Sequence, residues 1–132
     1  GMTIYSRVFT TPAGEEKDFQ IIIEGDAITH VWVRFPPGSK GLLHVTIYYG
    51  LKQIFPWTEG QYFAGNDEVI EWDEYWELPE SPCALTVHCE NYSTQYEHAV
   101  YVKIQTERKS TSLARRVADE LARKLLRMSS WI

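Results

Sequence analysis

A chain of 132 residues, 44% hydrophobic and 23% charged, is one domain by length and long enough to bury a core without metal or disulfide staples. No apolar run approaches the ~20 residues of a membrane span. A net charge of -5 disfavours phosphate backbones as the main partner, so neither membrane nor nucleic acid is expected. That charge is divided unevenly: residues 1–106 hold fifteen acids against six bases, and residues 107–132 hold three against seven.

Met2 to Thr11 is polar and alternating, a strand rather than a leader sequence, so no signal peptide is expected. Ile4, Ser6 and Val8 oppose Tyr5, Arg7 and Phe9 with period two, and Phe19 to Glu24 resumes as a strand after the turn at Pro12-Ala13-Gly14. Ile28 to Phe35 places Val31, Val33 and Phe35 on one face and His30, Trp32 and Arg34 on the other. It stops at Pro36-Pro37-Gly38, which cannot extend a ladder. Leu43, Val45, Ile47 and Tyr49 then face inward, and Leu42 to Tyr49 is expected to pair with Ile28 to Phe35 as a hairpin, bringing His30 and His44 onto one face.

Shorter strands are expected at Gln53 to Phe55, Gln61 to Ala64, Val69 to Trp72, Ala84 to Glu90 and Ala99 to Thr106, between clusters of Gly, Pro, Asn and Asp. Eight or nine strands at near-regular spacing, with no helix among them, predict an all-β antiparallel sandwich of jelly-roll type over residues 1–108. From Lys109 the period changes. Leu113, Val117, Leu121 and Leu125 recur every fourth residue, and Ala114, Ala118, Leu121, Leu125 and Met128 follow a coiled-coil spacing. Ser110, Thr111 and Ser112 offer a cap, and Arg123, Lys124 and Arg127 sit where the helix dipole favours cations. Residues 109–132 therefore predict a basic amphipathic helix from Thr111 to about Met128, either part of the same domain or an oligomerisation arm. Its wide apolar face must be buried on its own sandwich or on a second copy.

Between Gln53 and Val102 the chain carries ten carboxylates and no Lys or Arg, with the acids densest from Asp67 to Glu80. If Glu71 to Leu78 is extended, Trp72, Trp76 and Leu78 share a face with Glu74, and Glu71, Asp73, Tyr75 and Glu77 line the other. Such a ladder suits docking of a basic element, and Trp57, Tyr62, Trp72 and Trp76 are candidates for an aromatic platform that stacks on sugars. Calcium would use oxygen ligands of this kind, but no EF-hand spacing occurs, and core or interface packing competes for every aromatic ring.

Cys83 and Cys89, six residues apart on one strand, lie too far apart for a disulfide, and two reduced thiols fit a cytoplasmic setting. Alternation turns Cys89 inward and His88 outward, so Cys83, His88, Cys89 and His98 do not converge on zinc. His44 stands alone without the His-x-His of cupin metal sites. With no phosphate-cradling glycine loop, nucleophile elbow, HExxH or CxxC, neither a cofactor nor a catalytic residue is expected.

The strand count and spacing from Ile4 to Thr106 resemble the small jelly rolls of viral coat proteins, phage structural proteins and carbohydrate-binding modules. That resemblance implies surface binding, in a cytoplasmic or virion-associated setting. A non-enzymatic assembly protein is expected, self-associating through Leu113, Ala114, Val117, Ala118, Leu121, Leu125 and Met128, with Arg123, Lys124 and Arg127 meeting the acidic face. A carbohydrate-binding module is the alternative.

Overall fold

The computed structural model describes residues 1–109 and 111–129, with the side chains of the C-terminal helix described from 117 to 128. Eight strands precede one helix: β1 (Met2–Thr11), β2 (Glu16–Ile23), β3 (Ala27–Phe35), β4 (Leu43–Tyr49), β5 (Lys52–Phe55), β6 (Glu68–Glu77), β7 (Cys83–Asn91), β8 (His98–Glu107) and α1 (Thr111–Ser129). They form two four-stranded antiparallel sheets, ordered β1-β8-β3-β6 and β2-β7-β4-β5. Successive strands cross between sheets everywhere except β4 to β5, which is the strand order of an eight-stranded jelly roll.

Alternation produces the core directly. Val31, Val33 and Phe35 of β3, Leu43, Val45 and Ile47 of β4, Leu85 and Val87 of β7, and Val100, Val102 and Ile104 of β8 are all fully buried between the sheets. Every one of these strands therefore has one dry face, the requirement for packing two sheets face to face.

The expected hairpin of β3 with β4 does not form. β3 lies between β8 and β6, and β4 lies between β7 and β5 in the opposite sheet, so the two strands meet only through their apolar faces. Periodicity reports which face is buried; it does not report which strand lies alongside. His30 and His44 are consequently on opposite outer surfaces. Gln61 to Ala64 contributes one isolated bridge, Val45 with Phe63, in place of a strand.

The turn from β2 to β3 passes close under β8. Gly25 has φ +137°, and a Cβ there would sit 3.0 Å from Thr106 Oγ1, so the site demands glycine on both conformational and steric grounds. Thr106 fills the remaining space and donates from that hydroxyl to the Glu24 carbonyl at 2.6 Å.

α1 follows β8 after a short link. Val117, Leu121, Leu125 and Met128 are 50, 57, 65 and 67% exposed, so its apolar stripe finds no cover on the sandwich over the described side chains. Leu113 and Ala114, together with the capping residues Ser110, Thr111 and Ser112, fall outside the described side chains. No helix among the described residues is long and apolar enough to cross a membrane.

Candidate functional site

β6 is extended over its ten residues and forms an edge of its sheet, pairing with β3 alone. Its alternation divides the acidic segment as the spacing predicts: Glu71, Asp73, Tyr75 and Glu77 are exposed, and Trp72, Glu74, Trp76 and Leu78 are half-buried. Trp72 stacks on Phe63 at 5.2 Å and meets Phe55 edge-on at 5.5 Å, with its indole N–H donating to Glu74 at 3.1 Å. Trp76 packs against Tyr49 at 5.8 Å.

These contacts withdraw Trp72 and Trp76 from the four-ring platform. Trp57 is exposed, with Lys52 Nζ 4.8 Å above its ring, and Tyr62 lies flat against His44 at 3.7 Å. The rings serve two purposes: closing the core between the sheets, and furnishing isolated surface contacts. One sheet edge carries both an acidic row and a core anchor because side chains alternate across it.

The outer face of the β1-β8-β3-β6 sheet brings the acidic row to a histidine. His30 on β3 contacts Asp73 Oδ1 through Nδ1 at 2.8 Å and Glu71 Oε2 through Nε2 at 3.1 Å. Both bonds are satisfied together only when both ring nitrogens carry protons. The hydrogen bonds to Glu71 and then Asp73 raise the His30 pKa above its ordinary value of 6.5.

The opposite outer face holds a second and denser cluster, which the sequence reading did not assemble. A cavity of about 540 Å³ lies over β4 and β7, walled by His44, Tyr48, Tyr62, His88, Glu90 and Tyr92. Gln53 forms its floor and is structurally committed: its Nε2 lies 2.8, 3.1 and 2.9 Å from the carbonyls of Pro56, Thr58 and Gln61, pinning the loop that carries Tyr62.

Register sets the chemistry beside this cavity, where His88 and Glu90 of its lining meet β2. Glu16 stands directly opposite Glu90 across the β2/β7 ladder, and Asp18 stands opposite His88. His88 Nδ1 lies 2.6 Å from Asp18 Oδ1, and its Nε2 lies 2.9 Å from Glu90 Oε1 and 3.7 Å from Glu16 Oε2. Burial works against the imidazolium, but the hydrogen bonds to Asp18 and Glu90 and their charges outweigh it, leaving the His88 pKa raised. Tyr92 donates to Glu90 Oε2, which with His88 holds the Glu90 carboxyl below its usual range and pushes the Tyr92 phenol up. The signal was present as the same-face pairs Glu16-x-Asp18 and His88-x-Glu90; which strands adjoin was not.

The cysteines are internal, as alternation predicts. Cys83, the first residue of β7, and Cys89, two residues before its end, are buried free thiols, and burial pushes Cys89 up to about 12, while His88 faces outward. They therefore share no site with His88.

No family model and no curated protein matches the chain. Among solved structures it is similar to a Cyanophage Pam1 capsid chain (10% identity, 80% of this chain and 81% of that one, TM-score 0.47). It is similar also to PliG of Aeromonas hydrophila, a periplasmic inhibitor of g-type lysozyme (9% identity, 79% and 88%, TM-score 0.46). A further likeness is to a chain of the disulfide-linked pili of Bacillus endospore appendages (9% identity, 82% and 89%, TM-score 0.44). At scores this low none of the three carries an argument about family or function. The jelly-roll assignment rests on the strand order of the chain itself.

Proposed function

We propose that the protein is a non-enzymatic assembly subunit that self-associates, the C-terminal helix of one copy covering the outer face of the β1-β8-β3-β6 sheet of another. The observation that carries this reading is the exposed apolar stripe Val117, Leu121, Leu125 and Met128 on α1. The receiving face presents Ile4, Val8 and Tyr101, each close to half exposed, with Glu71 and Asp73 along its β6 side. Residues 107–132 carry seven bases against three acids, the opposite polarity to the sandwich as a whole, which favours approach of the helix to the sandwich.

Magnitudes favour a contact of moderate strength. Full burial of four such side chains supplies at most roughly 6–12 kcal/mol. Association costs about 4–15 kcal/mol. The apolar residues of the receiving face and the charge complementarity are needed to make up the difference. Light scattering on the full chain and on a chain ending at Arg108 tests the reading. Oligomers are expected from the first and monomers from the second, with Leu121→Glu in the full chain also shifting the population to monomer. Monomers from both chains would overturn it.

A second reading, sugar binding, is supported by the cavity beside the His44–Tyr62 stack, where an exposed ring face adjoins Glu59, Gln61 and Tyr92. A glycan array compared between the native chain and Tyr62→Ala tests it. Silence of the native chain removes this reading, and binding lost in the variant supports it.

A further inference from the structure

The geometry points to a divalent-cation site at the margin of the cavity, formed by Glu16, His88 and Glu90 and oriented by Asp18. One carboxylate oxygen from each glutamate and one imidazole nitrogen converge to within 4.8 Å of one another. The donors come from two neighbouring strands with the backbone fully paired between them, so the cluster is built on rigid elements, not on a loop.

Three observations argue for a cation here. The register sets Glu16 directly against Glu90, a like-charge pair that a sheet ordinarily disfavours; the His88 imidazolium offsets it with one positive charge, and a divalent ion in its proton's place would offset it with two. His88 Nε2, not Nδ1, faces the two glutamates, and Nδ1 is occupied by Asp18 at 2.6 Å. A carboxylate on the far ring nitrogen is the arrangement that holds a metal-binding imidazole in the required tautomer and orientation. Finally, His88 and Glu90 line the cavity and the Glu16 side chain is exposed, so water reaches the cluster and can supply the remaining positions of a coordination sphere.

The donor set selects the ion. Calcium takes six to eight oxygens, more than this cluster presents, whereas one imidazole and two carboxylates suit zinc or a neighbouring first-row divalent ion. Ligands about 2.0–2.2 Å from zinc lie roughly 3–3.5 Å from one another. His88 Nε2 is already 2.9 Å from Glu90 Oε1, and 3.7 Å from Glu16 Oε2, a difference that rotation of the exposed Glu16 side chain closes. On binding, the ion takes the place of the Nε2 proton, which leaves to solvent, and the Nδ1–H bond to Asp18 is retained.

The site is independent of α1 and of any assembly. Zinc chloride titrated into the full chain by calorimetry should give one saturable site per chain. His88→Asn should abolish it, and Glu16→Gln or Glu90→Gln should weaken it by about tenfold or more. Asp18→Asn should weaken it by about 10–100-fold at unchanged stoichiometry, as expected of a positioning residue. His30→Asn, in the other histidine cluster, should leave it unaltered. On the native chain alone, histidine nitrogen NMR should show Nε2 of His88 shifting on zinc addition while Nδ1 stays protonated. Absence of saturable binding, an isotherm unchanged by His88→Asn, or zinc-induced shifts centred on His30, His44 or His98 would each overturn the assignment.

Discussion

His30 and Asp73 are register partners across the β3/β6 ladder, and their side chains meet outside the sheet through a 2.8 Å contact between Nδ1 and Oδ1. Because Glu71 takes the other ring nitrogen, the folded protein holds this imidazole protonated more tightly than the unfolded chain does. Gln105, its partner on β8, is uncharged and leaves the two carboxylates to dominate. A raised folded-state pKa stabilises fully below the ordinary value of 6.5, and the contribution is lost as pH rises through the folded value. The urea midpoint should therefore decline as pH rises above about 6.5, and His30→Asn should make that decline shallower, the remainder coming from His88, whose pKa is raised in the same direction. An unchanged slope in the variant would remove His30 as a contributor.

Core truncation should be costly where the two sheets meet. Phe35 is wholly buried, and Phe35→Ala should lower the unfolding free energy by roughly 3–5 kcal/mol through lost burial and a residual cavity. Leu51, fully exposed in the β4–β5 turn, should tolerate Ala within about 0.5 kcal/mol. Paired chemical denaturation curves measure both.

Gln53 is a buried side chain that serves a loop. Removing it in Gln53→Ala strands the carbonyls of Pro56, Thr58 and Gln61, at an expected cost of about 1–3 kcal/mol. Faster amide exchange confined to residues 56–62 would mark local loosening of the cavity rim. Uniform exchange throughout the chain would point to global destabilisation instead.

Neither thiol should react in the folded protein. Burial raises Cys83 and Cys89 above the ordinary thiol value, so thiolate is scarce at neutral pH and access is blocked. A thiol-labelling reagent should modify neither until denaturant is added, then both; rapid labelling of native protein would contradict the packing of β7.

Much of this architecture was legible because two-residue alternation is dictated by which face of a strand must be dry. Val31, Val33 and Phe35, the outward His88, the inward Cys89 and the divided faces of Glu71 to Leu78 all follow from it. Alternation is silent about neighbours. It therefore left β3 and β4 as an imagined hairpin, and it did not bring Glu71 to His30, or Glu16 and Asp18 to His88, because those meetings cross strands distant in sequence. The four candidate rings divide on the same ground: alternation places Trp72 and Trp76 on the face that packs inward, Trp72 on Phe55 and Phe63, while Trp57 and Tyr62 stay exposed.

The acidic row on β6 has a consequence for how copies can add to one another. An edge strand ten residues long is a template on which a sheet could continue from one molecule into the next. Two such edges meeting in antiparallel fashion would confront Glu68, Glu71, Asp73, Glu74 and Glu77 with their own kind, without a single Lys or Arg on the strand to offset them. Growth by pairing β6 with β6 is thereby discouraged. In the assembly proposed above, α1 would join two different patches, so its stoichiometry would be set by whether the rotation between successive copies closes a ring or propagates a filament.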